Sequence, residues 1–157
     1  MVNYRQSYLR TAEALVLHVW GALRANGPLS ADEHRLASLL LAHPEWQRVW
    51  DGQARVPASA EANPDRNPFL HIHLHDLVER QAAERKPALL AGYLDIAAGR
   101  RGDRVHRVIA VLWHCLSESL RGGSPLDLKS YEERLRGLRS TSTTTMRAAV
   151  PGRSRAG

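Results

Sequence analysis

The chain has 157 residues, of which 43% are hydrophobic and 24% are charged. That length suits one ordinary domain with a single core, and the composition is typical of a globular protein. The longest apolar runs fall far short of the ~20 residues that a transmembrane helix needs, and the N-terminus lacks the apolar segment of a signal peptide. The single cysteine, Cys115, excludes an internal disulfide. We therefore expect a cytoplasmic protein with no membrane partner.

The formal net charge of +6 is concentrated at the C-terminus. Residues 139–157 contain four arginines and no acid, and the rest of the chain has 18 basic and 16 acidic residues with no basic stripe. The segment is rich in Arg, Ser and Thr and lacks apolar periodicity, so we predict a disordered tail at 139–157 after a helical domain at 1–138. Nucleic-acid association is a minor hypothesis, which would be non-specific, salt-sensitive and confined to this tail.

The spacing of apolar residues predicts an all-α, single-domain bundle of about five helices, with no strand. The first helix runs from about Gln6 to Ala25. The second begins at a capping box made by Ser30 and Glu33, and His43-Pro44 ends it. A short helical turn follows at 44–50. Residues 51–66 contain Gly and two Pro and are predicted to form a loop long enough to be mobile.

The third predicted helix begins with Asn67 as its cap and Pro68 in its first turn, and it continues to about Lys86. Shorter or longer helices are predicted at 87–99, 103–121 and 124–138. The four tryptophans lie at helical spacing among other apolar residues and are predicted to belong to the core: Trp20, Trp46, Trp50 and Trp113.

Three histidines alternate with apolar residues in the third predicted helix. A helical projection places His73 on a solvated flank and brings His71 and His75 together, with Glu79 one turn further on. Two histidines spaced i, i+4 can share one metal ion, and a carboxylate one turn away can be a third ligand. The alternative is a buried histidine pair that makes hydrogen bonds between helices.

The predicted helix at 103–121 offers a second half for such a site. His106 lies on the flank of its apolar stripe, so antiparallel packing would bring it to His71 and His75. His114 lies two turns further on, rotated outward. His43 is more simply explained as a helix-end residue that binds free carbonyl groups, and Cys115 as a core thiol.

The segment NPFLHIHLHDLVERQ resembles the signature of an uncharacterised bacterial family, domain of unknown function 1841. Two further segments are similar to steps of that family: AHPEW at 42–46 and HCLSE at 114–118, and the resemblance covers about residues 8–137. The family has a second His-x3-His pair before its cysteine. Its alignment on Cys115 places His106 on the first histidine, Ala110 on the second and His114 on a glutamate. The resemblance implies that, if the family binds a metal through both pairs, this chain lacks one ligand or replaces it with His114.

Two functions remain open from the sequence. The first is a helical protein that binds a divalent transition metal, hydrolytic or redox in role, with a water that the metal could activate. Its candidate ligands are His71, His75, Glu79, His106 and His114. The second is a non-catalytic protein-interaction module whose histidines are structural. The sequence leaves open whether the protein is an enzyme, which partner it has, and whether it forms a homo-oligomer.

Overall fold

The computed structural model describes residues 2–95 and 100–147, with side chains up to residue 139, and this part of the chain is all-helical. Its seven α-helices, in chain order, are α1 (Tyr4–Arg24), α2 (Ala31–Leu41), α3 (Gln47–Trp50), α4 (Pro68–Glu84), α5 (Ala88–Asp95), α6 (Arg101–Arg121) and α7 (Leu128–Arg147). Short 3₁₀ turns lie at Pro44–Trp46 and Ala58–Ala60. Among the described residues, no helix combines the length and the apolar character that crossing a bilayer requires.

The predicted helix starts are confirmed by their capping bonds. The Ser30 hydroxyl accepts from the Glu33 amide, and the Glu33 carboxylate accepts from the Ser30 amide, which completes the capping box of α2. At α4, the Asn67 side chain accepts from the amides of Phe69 and Leu70, and Pro68 occupies the first turn. These bonds satisfy amides that have no partner inside their own helix.

Helix α4 is the central element, and it packs against α1, α2, α5 and α6. One of its faces inserts Leu70, Leu74 and Val78 into a core shared with α5, α6 and α7. Another face inserts Phe69 and Ile72 into a second core with α1, α2 and Trp50. A helix buried on two faces has little amphipathic contrast. The histidines of α4 therefore lie between two apolar faces rather than on a solvated side.

The segment between α3 and α4 is held against the helices by side chains, although the sequence predicts a mobile loop. The Trp113 indole donates to the Ala62 carbonyl (2.8 Å), and the side-chain amide of Asn67 donates to the Glu61 carbonyl (2.7 Å). Ala60 is buried in this segment. Its residues therefore have defined positions beside α4, which matters for the site described below.

Three other predictions differ from the structure. About five helices are expected, but the described residues form seven, because each predicted helical segment forms a helix of its own and the turn at 44–50 adds the short helix α3. Helix α7 continues to Arg147, past its predicted end at Leu138, since the chain has no proline between 126 and 150 to stop it. The predicted end of the fourth helix at Gly99, and residues 148–157 of the predicted tail, lie outside the described residues.

Candidate metal centre

Four imidazoles converge where α4, α6 and the end of α2 meet. His43, His71, His75 and His106 each present one ring nitrogen to the others, and these nitrogens all lie within 4.8 Å of one another. The structure therefore brings together three of the five predicted ligands, His71, His75 and His106, and adds His43. We call these four side chains the histidine cluster.

The antiparallel packing of α4 and α6 creates the first part of this arrangement. Glu79, near the end of α4, pairs with Arg101 at the start of α6. His71, near the start of α4, contacts His106, which lies more than one turn after the start of α6. The centroids of the two rings are 4.9 Å apart. The i, i+4 spacing then adds His75, whose ring is 6.1 Å from that of His106.

His43 enters the cluster from the chain just after α2. Its Nδ1 donates to the Leu39 carbonyl at 2.8 Å, which is the helix-end bond that the sequence predicts. A carbonyl can only accept, so the proton of the neutral ring is on Nδ1 and the lone pair is on Nε2. The same bond that caps α2 therefore leaves one nitrogen of His43 free to bind an ion.

His71 is the most buried member of the cluster, with 5% of its surface exposed. Its Nδ1 donates to the Pro64 carbonyl at 3.2 Å, and its Nε2 is buried without a hydrogen-bond partner among the described residues. Burial, reinforced by the neighbouring imidazoles, lowers the pKa of His71 to about 3. At neutral pH the ring is therefore uncharged, which is the form that binds metals.

His75 presents its opposite nitrogen. Its Nε2 lies 3.6 Å from the Glu79 carboxylate, and its Nδ1 is buried without a hydrogen-bond partner in the described part of the chain. Both Glu79 oxygens accept from the Arg101 guanidinium, at 2.7 and 2.8 Å. Contact with His75 and pairing with Arg101 lower the pKa of Glu79 to about 2. A carboxylate behind an imidazole is the common outer-sphere arrangement of metal-binding histidines.

His106 completes the cluster from the exposed side of α6. Burial against the other rings lowers its pKa, and the charges of Asp65 and Asp103 oppose this effect. Its ring makes no side-chain hydrogen bond or ion pair to another described residue, unlike the rings of His43, His71 and His75.

Trp46 forms the apolar wall of the cluster. Its indole stacks on the His43 ring, with centroids 5.3 Å apart and planes at 10°, and meets the His71 ring edge-on at 4.8 Å. Trp46 is partly exposed, whereas the other three tryptophans are buried as predicted. Its indole therefore limits the motion of two imidazoles and shields them from water on one side.

The dimensions of the cluster suit a single transition-metal ion. If all the nitrogen separations had the upper value of 4.8 Å, the centre would lie about 2.9 Å from each nitrogen, and ring rotations of about 0.9 Å would reach bonding distances of ~2.0–2.1 Å. Buried polar atoms without partners cost about 1–3 kcal/mol each, and an ion would satisfy both Nε2 of His71 and Nδ1 of His75. Neutral imidazole ligands suit zinc, copper, nickel and iron.

Two predicted ligands lie outside the cluster. Glu79 reaches it only through His75, because Arg101 occupies both of its oxygens. His114 is exposed on another side of α6, where it lines a cavity of about 300 Å³ with Cys115 and Arg134. Cys115 itself is buried, as predicted, and burial raises the pKa of its thiol.

The structure differs from the sequence predictions at two single histidines, His73 and His43. His73, predicted to be solvated, is partly buried with its ring 5.2 Å from that of Tyr8, and burial lowers its pKa. The burial arises because α4 is covered on more sides than its apolar stripe suggests. His43 was assigned a helix-end bond, which the structure shows, but not a place in the cluster. Its position in AHPEW, a segment similar to the family, marks His43 as a residue of interest but does not show which helix it contacts.

The fold and the cluster define an all-α protein with four histidines gathered between packed helices. The family model described as Domain of unknown function (DUF1841) matches residues 9–137. The chain belongs to this family, as its resemblance around Asn67, His71 and His75 indicated. No curated protein and no solved structure matches the chain.

Proposed function

We propose that this protein binds one divalent transition-metal ion through His43, His71, His75 and His106, with zinc as the reference ion. The observation that supports this most strongly is the set of outer-sphere partners. The far nitrogens of His43 and His71 donate to backbone carbonyls, and that of His75 faces a carboxylate that an arginine holds. Each of these rings keeps its other nitrogen for an ion, and one ring nitrogen of each histidine lies within 4.8 Å of the others.

The burial of the cluster supports the same function. Four imidazoles packed for structural reasons alone would be expected to bond one another or nearby polar groups, because orphaned buried nitrogens are costly. Here the inward nitrogens of His71 and His75 have no hydrogen-bond partner among the described residues. All four proposed ligands are neutral, so the ion would keep its full charge, which the Glu79 carboxylate on the far side of His75 would partly offset.

The direct test is metal content after reloading. The protein, purified without a polyhistidine tag, is stripped with a chelator, dialysed against zinc and analysed for bound metal. We expect about one equivalent in the wild type, as for a single four-ligand site, and a loss of bound metal in His71→Ala and His75→Ala. His114→Ala is the matched control, because it removes an exposed α6 histidine outside the cluster.

Circular dichroism of each variant checks that its helices are intact. Equal metal content in wild type, His71→Ala and His75→Ala would exclude the metal centre. The histidines would then be polar contacts of the core, and the alternative function, a non-catalytic interaction module, would remain.

A further inference from the structure

We infer that the metal has one exchangeable coordination position, on the solvent side of the cluster, where a water or another small uncharged ligand replaces His106. This inference rests on the proposed metal site and specifies what that site can do. Zinc held by three protein ligands with a fourth position open to water is the arrangement of catalytic sites, whereas four fixed protein ligands make a structural one.

The four rings of the histidine cluster are not held equally. His43 is held by the Leu39 carbonyl, His71 by the Pro64 carbonyl, and His75 faces the carboxylate of the Glu79–Arg101 pair. Within the described residues, the His106 side chain has no hydrogen bond or ion pair. Outer-sphere bonds fix the orientation of a ligating imidazole, so His106 is the ligand that can rotate away at the lowest cost.

The surface of α6 around His106 includes two small, exposed residues. Residues one turn before and one turn after it on the same face of α6 are Gly102 and Ala110, and both are exposed. A Cβ added at Gly102 would meet no atom within 4 Å. On this face of α6, His106 is therefore flanked by a glycine and an alanine, and neither places a bulky side chain beside it on the solvent side.

The charges near His106 indicate which class of ligand could take its position on the ion. Asp103 lies one turn before His106 on the same helix and is exposed, and the charges of Asp103 and Asp65 act on the His106 ring. These two carboxylates weaken the attraction of the ion for a small anion, so water or a neutral nitrogen donor is relatively favoured. A carboxylate near a metal-bound water is also a suitable acceptor for its proton. The ligand class that fits the open position is therefore uncharged, with water as the ligand present in solution.

The test uses cobalt as the probe ion, because its visible spectrum reports coordination number and ligand exchange. His106→Gly is compared with His43→Gly, which removes a ligand that is held by a backbone carbonyl and covered by Trp46. We expect His106→Gly to retain bound cobalt with an altered spectrum. Its affinity should fall by only about 10- to 100-fold, the range for loss of an outer-sphere partner, because the His106 ring has no such partner to hold it on the ion. Added imidazole should restore the wild-type spectrum, and azide should act much more weakly.

The remaining outcomes overturn the inference or the site itself. A His106→Gly protein that binds no cobalt would show that His106 is a fixed ligand of a closed site. A variant that binds cobalt with a spectrum that imidazole leaves unchanged would show that the position of His106 does not exchange ligands. Equal rescue of His43→Gly by imidazole would remove the special status of His106. A wild-type protein that binds no cobalt at all would instead exclude the proposed function, so the two failures are distinguishable. Because His106 is exposed, its substitution removes little buried surface.

Discussion

Zinc should stabilise this protein against heat, and the stabilisation should depend on His71. This residue makes the sharpest test because it is the most buried member of the histidine cluster and joins it to Pro64 in the segment before α4. An ion bound there would connect that segment, α4, α6 and the end of α2. Unfolding would separate all four and release the ion.

The magnitude follows from linkage between binding and folding. At a free zinc concentration 100 times the dissociation constant, the folded state gains about 2.7 kcal/mol relative to the unfolded state. For a chain of this length, each kcal/mol corresponds to about 2–4 °C in Tm. We therefore expect a rise of roughly 5–11 °C on zinc saturation of the wild type. Zinc binding by histidines of the unfolded chain would reduce this value.

The assay is a thermal melt of chelator-treated protein with and without zinc, for wild type, His71→Ala and His114→Ala. The quantity compared is the zinc-induced change in Tm of each protein, since His71→Ala also alters packing in the metal-free state. We expect the change to disappear in His71→Ala and to remain in His114→Ala. A zinc-induced rise of the same size in His71→Ala and wild type would refute the reasoning, because the stabilising ion would then bind elsewhere.

Three predictions concern the scaffold. Asp76→Ala should lower the free energy of unfolding by about 1–3 kcal/mol in chemical denaturation, because it removes the buried carboxylate that pairs with two arginines. Asp32→Ala, at an exposed carboxylate, should lower it much less. Equal losses in the two variants would contradict this prediction. Burial raises the pKa of Tyr131, so the folded state favours the neutral phenol. The stabilisation that this gives below pH 10.0 should decline as the pH rises further, and the decline should be smaller in Tyr131→Phe. Tyrosinate absorbance that shows normal ionisation in the folded protein would count against it. Gly123→Ala should destabilise by about 1–3 kcal/mol, since φ is +65° and a Cβ would lie 2.7 Å from a tyrosine ring. Gly122→Ala, at negative φ, should be nearly neutral in the same thermal melts.

Much of the local structure was determined by the sequence alone. The capping residues Ser30 and Asn67 mark the starts of α2 and α4 because their side chains satisfy amides a few positions away. The i, i+4 spacing of His71 and His75 is likewise a local property, since any helix through them brings their rings to one side. These predictions were confirmed because they depend on groups that are neighbours along the chain.

The cluster itself was decided by tertiary packing. Nothing in the sequence near His43 shows that the end of α2 lies against α4, or that its helix-end bond leaves a ring nitrogen of His43 free beside three other imidazoles. The pairing of Glu79 with Arg101, 22 residues apart, likewise moved a predicted ligand to the outer sphere. His73 became partly buried for the same reason, because contacts from α1 cover a flank that periodicity assigns to solvent. Helical periodicity shows which residues share a face, but which faces meet depends on how distant segments pack.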